Sequence, residues 1–230
     1  MNASLLPAIE IETAPDPDAA VIWMHGLGDD GRGWSDVVPA LALPRQLAVR
    51  FIFPHAPVMA VTINNGMQMR AWYDIRQANV NERADVEGVR RSQAHVEALL
   101  AREAARGIAA SRTLLAGFSQ GGAIALHAGL RFEARLAGVV ALSTYLVAPD
   151  RIAAEASAAN RGVPIFMAHG THDPVIQFAW AEHSRDVLRA AGWQVEWHAY
   201  PMEHSAVIEE IAAAGAFITR LLANRAETAA

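Results

Sequence analysis

Residues 114–123 read Leu114-Leu115-Ala116-Gly117-Phe118-Ser119-Gln120-Gly121-Gly122-Ala123. An apolar run stops at Gly117, and a helix-forming run begins after Gly122. Between them lies a Gly-x-Ser-x-Gly pattern centred on Ser119. Flanked by a strand and a helix, this pattern makes a nucleophile elbow, a sharp turn that lifts a serine hydroxyl clear of the strand end. Glycine is required on both sides because a Cβ there would meet neighbouring backbone. The strained turn keeps the hydroxyl where a substrate can reach it. The five residues alone also describe an ordinary βα turn, so the strand before and the helix after give the pattern its weight.

Composition narrows the chemistry. The chain has 230 residues, 53% hydrophobic and 19% charged, enough to bury a substantial core. Net charge is -5 and no basic run occurs, so nucleic-acid binding has no electrostatic support. Cysteine is absent, which removes disulfides, thiolate nucleophiles and cysteine-based zinc sites. All 19 basic residues are arginine, which excludes lysine Schiff-base chemistry, a pyridoxal phosphate anchor and a Walker-type phosphate loop. A nucleophile here is a hydroxyl, a carboxylate or an imidazole. The first twenty residues hold four acidic and no basic residues, the reverse of a signal peptide. No apolar run reaches the roughly 18–20 residues that span a bilayer. The expectation is a cytoplasmic protein with no integral membrane segment.

The apolar run 19–24 predicts a strand buried on both faces of a parallel sheet. His25-Gly26-Leu27-Gly28-Asp29-Asp30-Gly31 follows it, then a helix over 34–43 and a strand over 49–53 that ends at Pro54-His55-Ala56-Pro57. Residues 58–81 show no regular period and read as a long irregular connection, which in a compact domain is more often functional than idle. A helix over 83–106 carries Val86, Val89, Val96, Leu99 and Leu100 near one face. Strands are expected over 112–117, 138–142 and 163–168, and helices over 121–130 and 176–190, with a short helical or irregular link over 149–160. Residues 193–200 alternate as an edge strand would, and a last helix over 205–222 lines Val207, Ile208, Ile211, Phe217, Ile218 and Leu221 along one side. Residues 8–12 form a short first strand and 224–230 a frayed tail. This alternation predicts one doubly wound α/β domain over 1–230, a mainly parallel sheet with helices on both faces. Ligands bind such sheets at the carboxyl ends of the strands. His25-Gly26, Pro54-His55, Ser119, His169-Gly170 and His204 all fall at such ends, which argues for one active site.

A serine hydroxyl needs a base within hydrogen-bond reach, and the base needs an orienting carboxylate. After an elbow of this type the order is Ser, then Asp or Glu, then His. His127 and His183 lie in predicted helices and His198 in a strand, where packing or surface roles are the rule. His204, in Pro201-Met202-Glu203-His204-Ser205 between the last strand and the last helix, stands where the base belongs. Asp173, in His169-Gly170-Thr171-His172-Asp173-Pro174, directly follows a strand and is the candidate acid; an Asx turn before Pro174 is compatible with that role. His169, His172 and Asp173 match no strong zinc spacing. The two oxyanion donors are backbone amides, that of Gln120 after the nucleophile and that of Leu27 in the glycine-rich loop.

With these residues placed, the chain resembles the phospholipase/carboxylesterase family of α/β-hydrolases, which includes bacterial carboxylesterases and acyl-protein thioesterases. The matching segments are His25-Gly26-Leu27-Gly28-Asp29, Pro54-His55-Ala56-Pro57, Trp72-Tyr73-Asp74, Gly117-Phe118-Ser119-Gln120-Gly121-Gly122, His169-Gly170-Thr171-His172-Asp173-Pro174 and His204-Ser205. The resemblance implies an α/β-hydrolase fold, a Ser119-Asp173-His204 triad, Leu27 and Gln120 as oxyanion donors, and no cofactor or metal. It implies hydrolysis of carboxylic esters or thioesters with an apolar acyl group, short to medium chains and lysophospholipids among them. Some members are dimers, so a homodimer is allowed. Tyr145 stands where many acyl-protein thioesterases carry tryptophan, and it joins Met67, Met69, Trp72, Val175 and Ile176 as a candidate for the acyl pocket. Apolar residues of this kind are more often core. Two rivals are weaker. A peptidase would need a site for the peptide amine or side chain, and a dienelactone-hydrolase-like enzyme usually uses a cysteine. A binding module on this fold would have lost a triad member.

Overall fold

The computed structural model describes residues 4–77 and 85–223. Its elements in chain order are β1 (Ala8–Glu12), β2 (Ala19–Met24), α1 (Arg32–Ser35), α2 (Val37–Ala40), β3 (Val49–Pro54), β4 (Val58–Val61), β5 (Met67–Arg70), α3 (Val86–Ala105), β6 (Thr113–Phe118), α4 (Gln120–Arg131), β7 (Gly138–Leu142), α5 (Ile152–Glu155), β8 (Ile165–Gly170), α6 (Phe178–Ala190), β9 (Val195–Tyr200) and α7 (Ile208–Ala223). Seven strands form one sheet in the order β1-β3-β2-β6-β7-β8-β9. β1 runs antiparallel to β3, and the other pairs are parallel.

The strand sequences are continuously apolar because both faces of the sheet are covered. In β2, Ala20, Ile22 and Met24 enter one core, and Ala19, Val21 and Trp23 enter the other. The period of two in a strand sends alternate residues to opposite layers, so a doubly covered strand has no polar face. The first core takes Val89, Val96 and Leu99 from α3, Ile124 from α4 and Leu188 from α6. The second takes Ile211, Phe217, Ile218 and Leu222 from α7. From β2 the chain steps outward to β3 and then returns to β6 on the other side, so the strand order reverses between β2 and β6. A crevice opens at the carboxyl ends of strands at such a switch point. Met24 pairs with Gly117 there, which sets the loop after β2 beside the turn after β6.

Three expectations change. Residues 58–70 are not irregular: β4 and β5 form an antiparallel hairpin through a 3-10 turn at Thr62–Asn64, with Asn65 and Gly66 at φ 55° and 75°. Asn-Gly supplies the positive φ values that tight hairpin connections require. The helix expected over 34–43 breaks into α1 and α2, because Pro39 has no N–H to donate to the carbonyl of Ser35. Ile208 is 62% exposed at the start of α7, off its inward face. Residues 78–84 and the tail expected over 224–230 lie outside the described residues. Among the described residues no helix is long and apolar enough to cross a membrane.

Candidate active site

Ser119 is the N-cap of α4 at φ 54°, ψ -119°, a region that L-residues adopt only under constraint. Its amide donates to the carbonyl of Leu142 at the end of β7 (2.8 Å). Its carbonyl accepts from the Ala123 amide (3.1 Å) and the Thr144 hydroxyl (2.6 Å). The flanking glycines make room for the turn. A Cβ on Gly117 would stand 2.3 Å from the Gly121 carbonyl carbon, and one on Gly121 would stand 2.2 Å from the Met24 carbonyl oxygen. The elbow thus works only because β6, α4 and the end of β2 touch through bare backbone.

Asp173 and His204 follow neighbouring strands. β8 and β9 pair in parallel up to Gly170 and Tyr200, which sets the loops after them side by side. The Thr171 amide donates to Tyr200 (2.8 Å) and the His172 amide to Met202 (3.1 Å). His204 then spans the gap: its Nε2 is 2.9 Å from Ser119 Oγ, and its Nδ1 is 2.6 Å from Asp173 Oδ2. Asp173 is buried, and its Oδ1 accepts the amides of Val175 and Ile176 (2.8 Å each). Burial pushes the Asp173 carboxyl up, but the hydrogen bonds from His204, Ile176 and Val175 outweigh it and hold the group below the usual carboxylate range. Nδ1 therefore carries the proton shared with Asp173, and Nε2 is left to accept from the serine hydroxyl.

The other histidines at strand ends build loops. His25 is buried, its Nδ1–H donates to the Gly26 carbonyl (2.7 Å), and its Nε2 accepts the Ala56 amide (3.1 Å). Burial keeps it neutral by lowering its pKa. His55 Nδ1 accepts the Gly31 amide (3.1 Å). His169 is held neutral by burial and donates from Nε2 to the Ile176 carbonyl (2.8 Å), bracing the turn that carries Asp173. His172 meets Thr171 at 3.4 Å, and among the described residues no group of three or more His, Asp or Glu side chains is placed to hold a metal ion.

The loop after β2 lies against the elbow: a Cβ on Gly26 would be 3.5 Å from Ser119 Cβ. Leu27 lines the same cavity as Ser119. The amides of Leu27 and Gln120 donate to no acceptor among the described residues, and that of Gln120 opens the positive end of α4. The buried Gln120 side chain accepts the Trp72 amide (2.8 Å) and donates to the Tyr73 carbonyl (2.7 Å). Trp72 Nε1 donates to the His25 carbonyl (2.9 Å), so residues 72–73 clamp the loop after β2 and the start of α4 together.

A cavity of about 470 Å³ opens over Ser119 and His204, lined by Leu27, Asp29, Trp34, Ile75, Phe118, Val175 and Ala206. Of the six residues expected to line an acyl pocket, Val175 alone lies on this wall, 45% exposed. Trp72, Tyr145 and Ile176 are buried in the core, where Tyr145 meets the Tyr73 hydroxyl at 3.0 Å. Met67 is 63% exposed on the hairpin, and Met69 is half-buried beside Asn64. The wall comes instead from Trp34, Phe118 and Ile75. The Phe118 ring packs 4.9 Å from His204 and 5.1 Å from Trp34, centroid to centroid. The signal for Phe118 is local, since the residue before an elbow serine flanks it; Trp34 and Ile75 carry no such signal.

The chain is similar to known proteins along nearly its whole length. A family model described as Phospholipase/Carboxylesterase matches residues 7–222. The chain is 40% identical over 232 residues to acyl-protein thioesterase 1 of Neurospora crassa, covering 97% of this chain and 93% of that one. It is 40% identical over 210 residues to acyl-protein thioesterase 1 of Yarrowia lipolytica, with coverages of 89% and 92%. The crystal structure of Zea mays acyl-protein thioesterase 2 matches with a TM-score of 0.84 at 29% identity, covering 94% of this chain and 99% of that one. With its elbow serine, its parallel sheet and this likeness along nearly its whole length, the chain belongs to the phospholipase/carboxylesterase family of α/β-hydrolases, a family of serine hydrolases.

Proposed function

We propose that this protein is a carboxylesterase that cleaves esters of apolar acyl groups through Ser119, His204 and Asp173. The observation that carries the reading is the unbroken chain from Ser119 Oγ to His204 (2.9 Å) and from His204 to Asp173 (2.6 Å). His204 Nε2 takes the hydroxyl proton as Ser119 Oγ attacks the acyl carbon. The oxyanion settles on the Leu27 and Gln120 amides; loss of one such donor costs about 3–4 kcal/mol of transition-state stabilisation. Nε2 then returns its proton to the leaving alcohol or thiol. Water repeats the sequence on the acyl-enzyme and frees the acid. The apolar wall of Leu27, Trp34, Ile75, Phe118 and Val175 supports an apolar acyl group. Thioester cleavage is the second reading, favoured by the acyl-protein thioesterases at 40% identity.

A fluorophosphonate probe and p-nitrophenyl esters test the chemistry. Wild type is expected to label within minutes and to hydrolyse the esters. Ser119→Ala is expected to lose labelling and roughly 10⁴-fold or more of kcat. Equal turnover by both proteins sinks the proposal. Matched oxygen and sulfur esters across a chain-length series then rank the two readings.

A further inference from the structure

Among the described residues that line the cavity over Ser119, one side chain is acidic, that of Asp29. Asp29 follows Leu27 and Gly28 in the loop after β2 and lines this cavity with Gly33, Leu27 and His204. Its carboxylate lies over Gly33, where a Cβ would stand 2.3 Å from both oxygens, and since Asp29 and Gly33 line both this cavity and an adjoining cleft, the charge sits where the two meet. Oδ1 accepts the Asp30 amide (2.8 Å), and among the described residues no basic group lies within 4 Å of the carboxylate. Arg32 and Arg70 line an adjoining cleft with Asp29 and Asp30, outside the catalytic cavity. Arg32 is 3.8 Å from Asp30, and Arg70 donates to the Ala56 carbonyl (2.8 Å). The other carboxylate of the site, Asp173, is buried behind His204 and committed to it. No arginine is among the described residues that line the catalytic cavity.

We infer that Asp29 sets the charge preference of this site, favouring esters whose alcohol or thiol portion carries a cation and opposing those that carry a carboxylate. The inference rests on the hydrolase reading above. A cation a few ångströms from the Asp29 carboxylate gains a partly screened Coulomb attraction, and an anion meets the equal repulsion. Neither effect depends on the shape of the acyl group, which lies against the apolar wall. Asp29 is thus a specificity residue, distinct from the groups that move protons.

Three thiobutyrate esters isolate the charge: those of thiocholine, of its neutral 3,3-dimethylbutyl isostere and of 3-mercaptopropionate. Asp29→Asn keeps an oxygen for the Asp30 amide and removes the charge. The readout is the ratio of kcat/KM values within one protein, so damage to the fold cancels. In wild type the thiocholine-to-neutral ratio is expected to exceed that of Asp29→Asn by about fivefold, the size of a partly exposed charge pair. The anionic-to-neutral ratio moves the opposite way. Raising salt shrinks both preferences in wild type, an arm that needs no variant. Ratios that match in wild type and variant and ignore salt overturn the inference while leaving Ser119-dependent hydrolysis standing. Both ratios moving in the same direction mark a shape effect and overturn it as well. Failure of wild type to cleave any of the three, or equal cleavage by Ser119→Ala, overturns the hydrolase reading together with this one.

Discussion

Two buried carboxyls near the ends of β8 and β9 meet opposite fates. Asp173 is stabilised as a charge because two amides and the His204 ring converge on it. Glu210, in the first turn of α7, is fully buried, and neither carboxyl oxygen has a well-formed hydrogen bond among the described residues. Burial raises its pKa from 4.5 to about 8, and the nearby Val207 amide offsets this only in part. The sign of the linkage follows. Between those two values the folded chain holds a proton that the unfolded chain has lost. The stability this proton supplies is complete below pH 4.5, declines as pH rises, and is gone above about 8. Glu210→Gln, neutral at every pH, is expected to melt with wild type near pH 5 and several degrees above it at pH 8. A thermal-melt series across that range checks this; a difference independent of pH counts against it.

The elbow depends on contact between elements as much as on its own turn. Gly121 lies where the start of α4 passes the end of β2, so an added methyl strikes the main chain of Met24 and His25, with no side chain able to swing away. Gly121→Ala is expected to separate β2 from β6 at the Met24–Gly117 pair and to lose both probe labelling and several degrees of melting temperature. Labelling at the wild-type rate would show that the junction can relax. The β4–β5 hairpin shows the converse. Its turn signal, Asn65-Gly66, is two residues long and legible, yet its strands are short and half of each is exposed. Long-range bonds hold it: the Thr62 amide and hydroxyl to the Asp74 carboxylate, and the Ala71 amide to the Pro57 carbonyl (3.0 Å). A weak local period with distant partners is read as irregular from sequence.

Across the whole molecule, the end of the sheet opposite Ser119 is tied by charge. Glu103 of α3, fully buried, meets Arg50 of β3 (2.8 Å), Arg102 (2.9 Å) and Arg106 (3.1 Å), while Glu12 of β1 meets Arg50 (2.8 Å). Removing one partner of a buried ion pair strands the others, at about 3–5 kcal/mol. Glu103→Ala is therefore expected to lower the melting temperature by roughly 10 °C. Ester hydrolysis at 25 °C should stay within about twofold, because the crevice lies at the other strand ends. The paired change Arg50→Met with Glu103→Leu should recover much of the loss. Differential scanning calorimetry with an esterase assay checks both; a melting temperature within 2 °C of wild type for Glu103→Ala would show the network to be dispensable.

The parts of this protein that depend on neighbours in the chain are legible in its sequence alone. Apolar runs at strand period, helix periodicity, glycines around Ser119, and the order of Ser119, Asp173 and His204 are patterns of a few residues each. The alternation of strands and helices then leaves few ways to wind a sheet. The walls of the cavity follow a different rule. Trp34, Ile75, Phe118, Val175 and Ala206 come from five segments, brought together by the β2–β6 and β8–β9 registers. Trp72, Tyr145 and Ile176 carry the same apolar character and lie in the core. Hydrophobicity drives burial without naming the partner, so which apolar residue faces substrate, and whether Asp29 faces it too, is decided by packing between strands far apart in the chain.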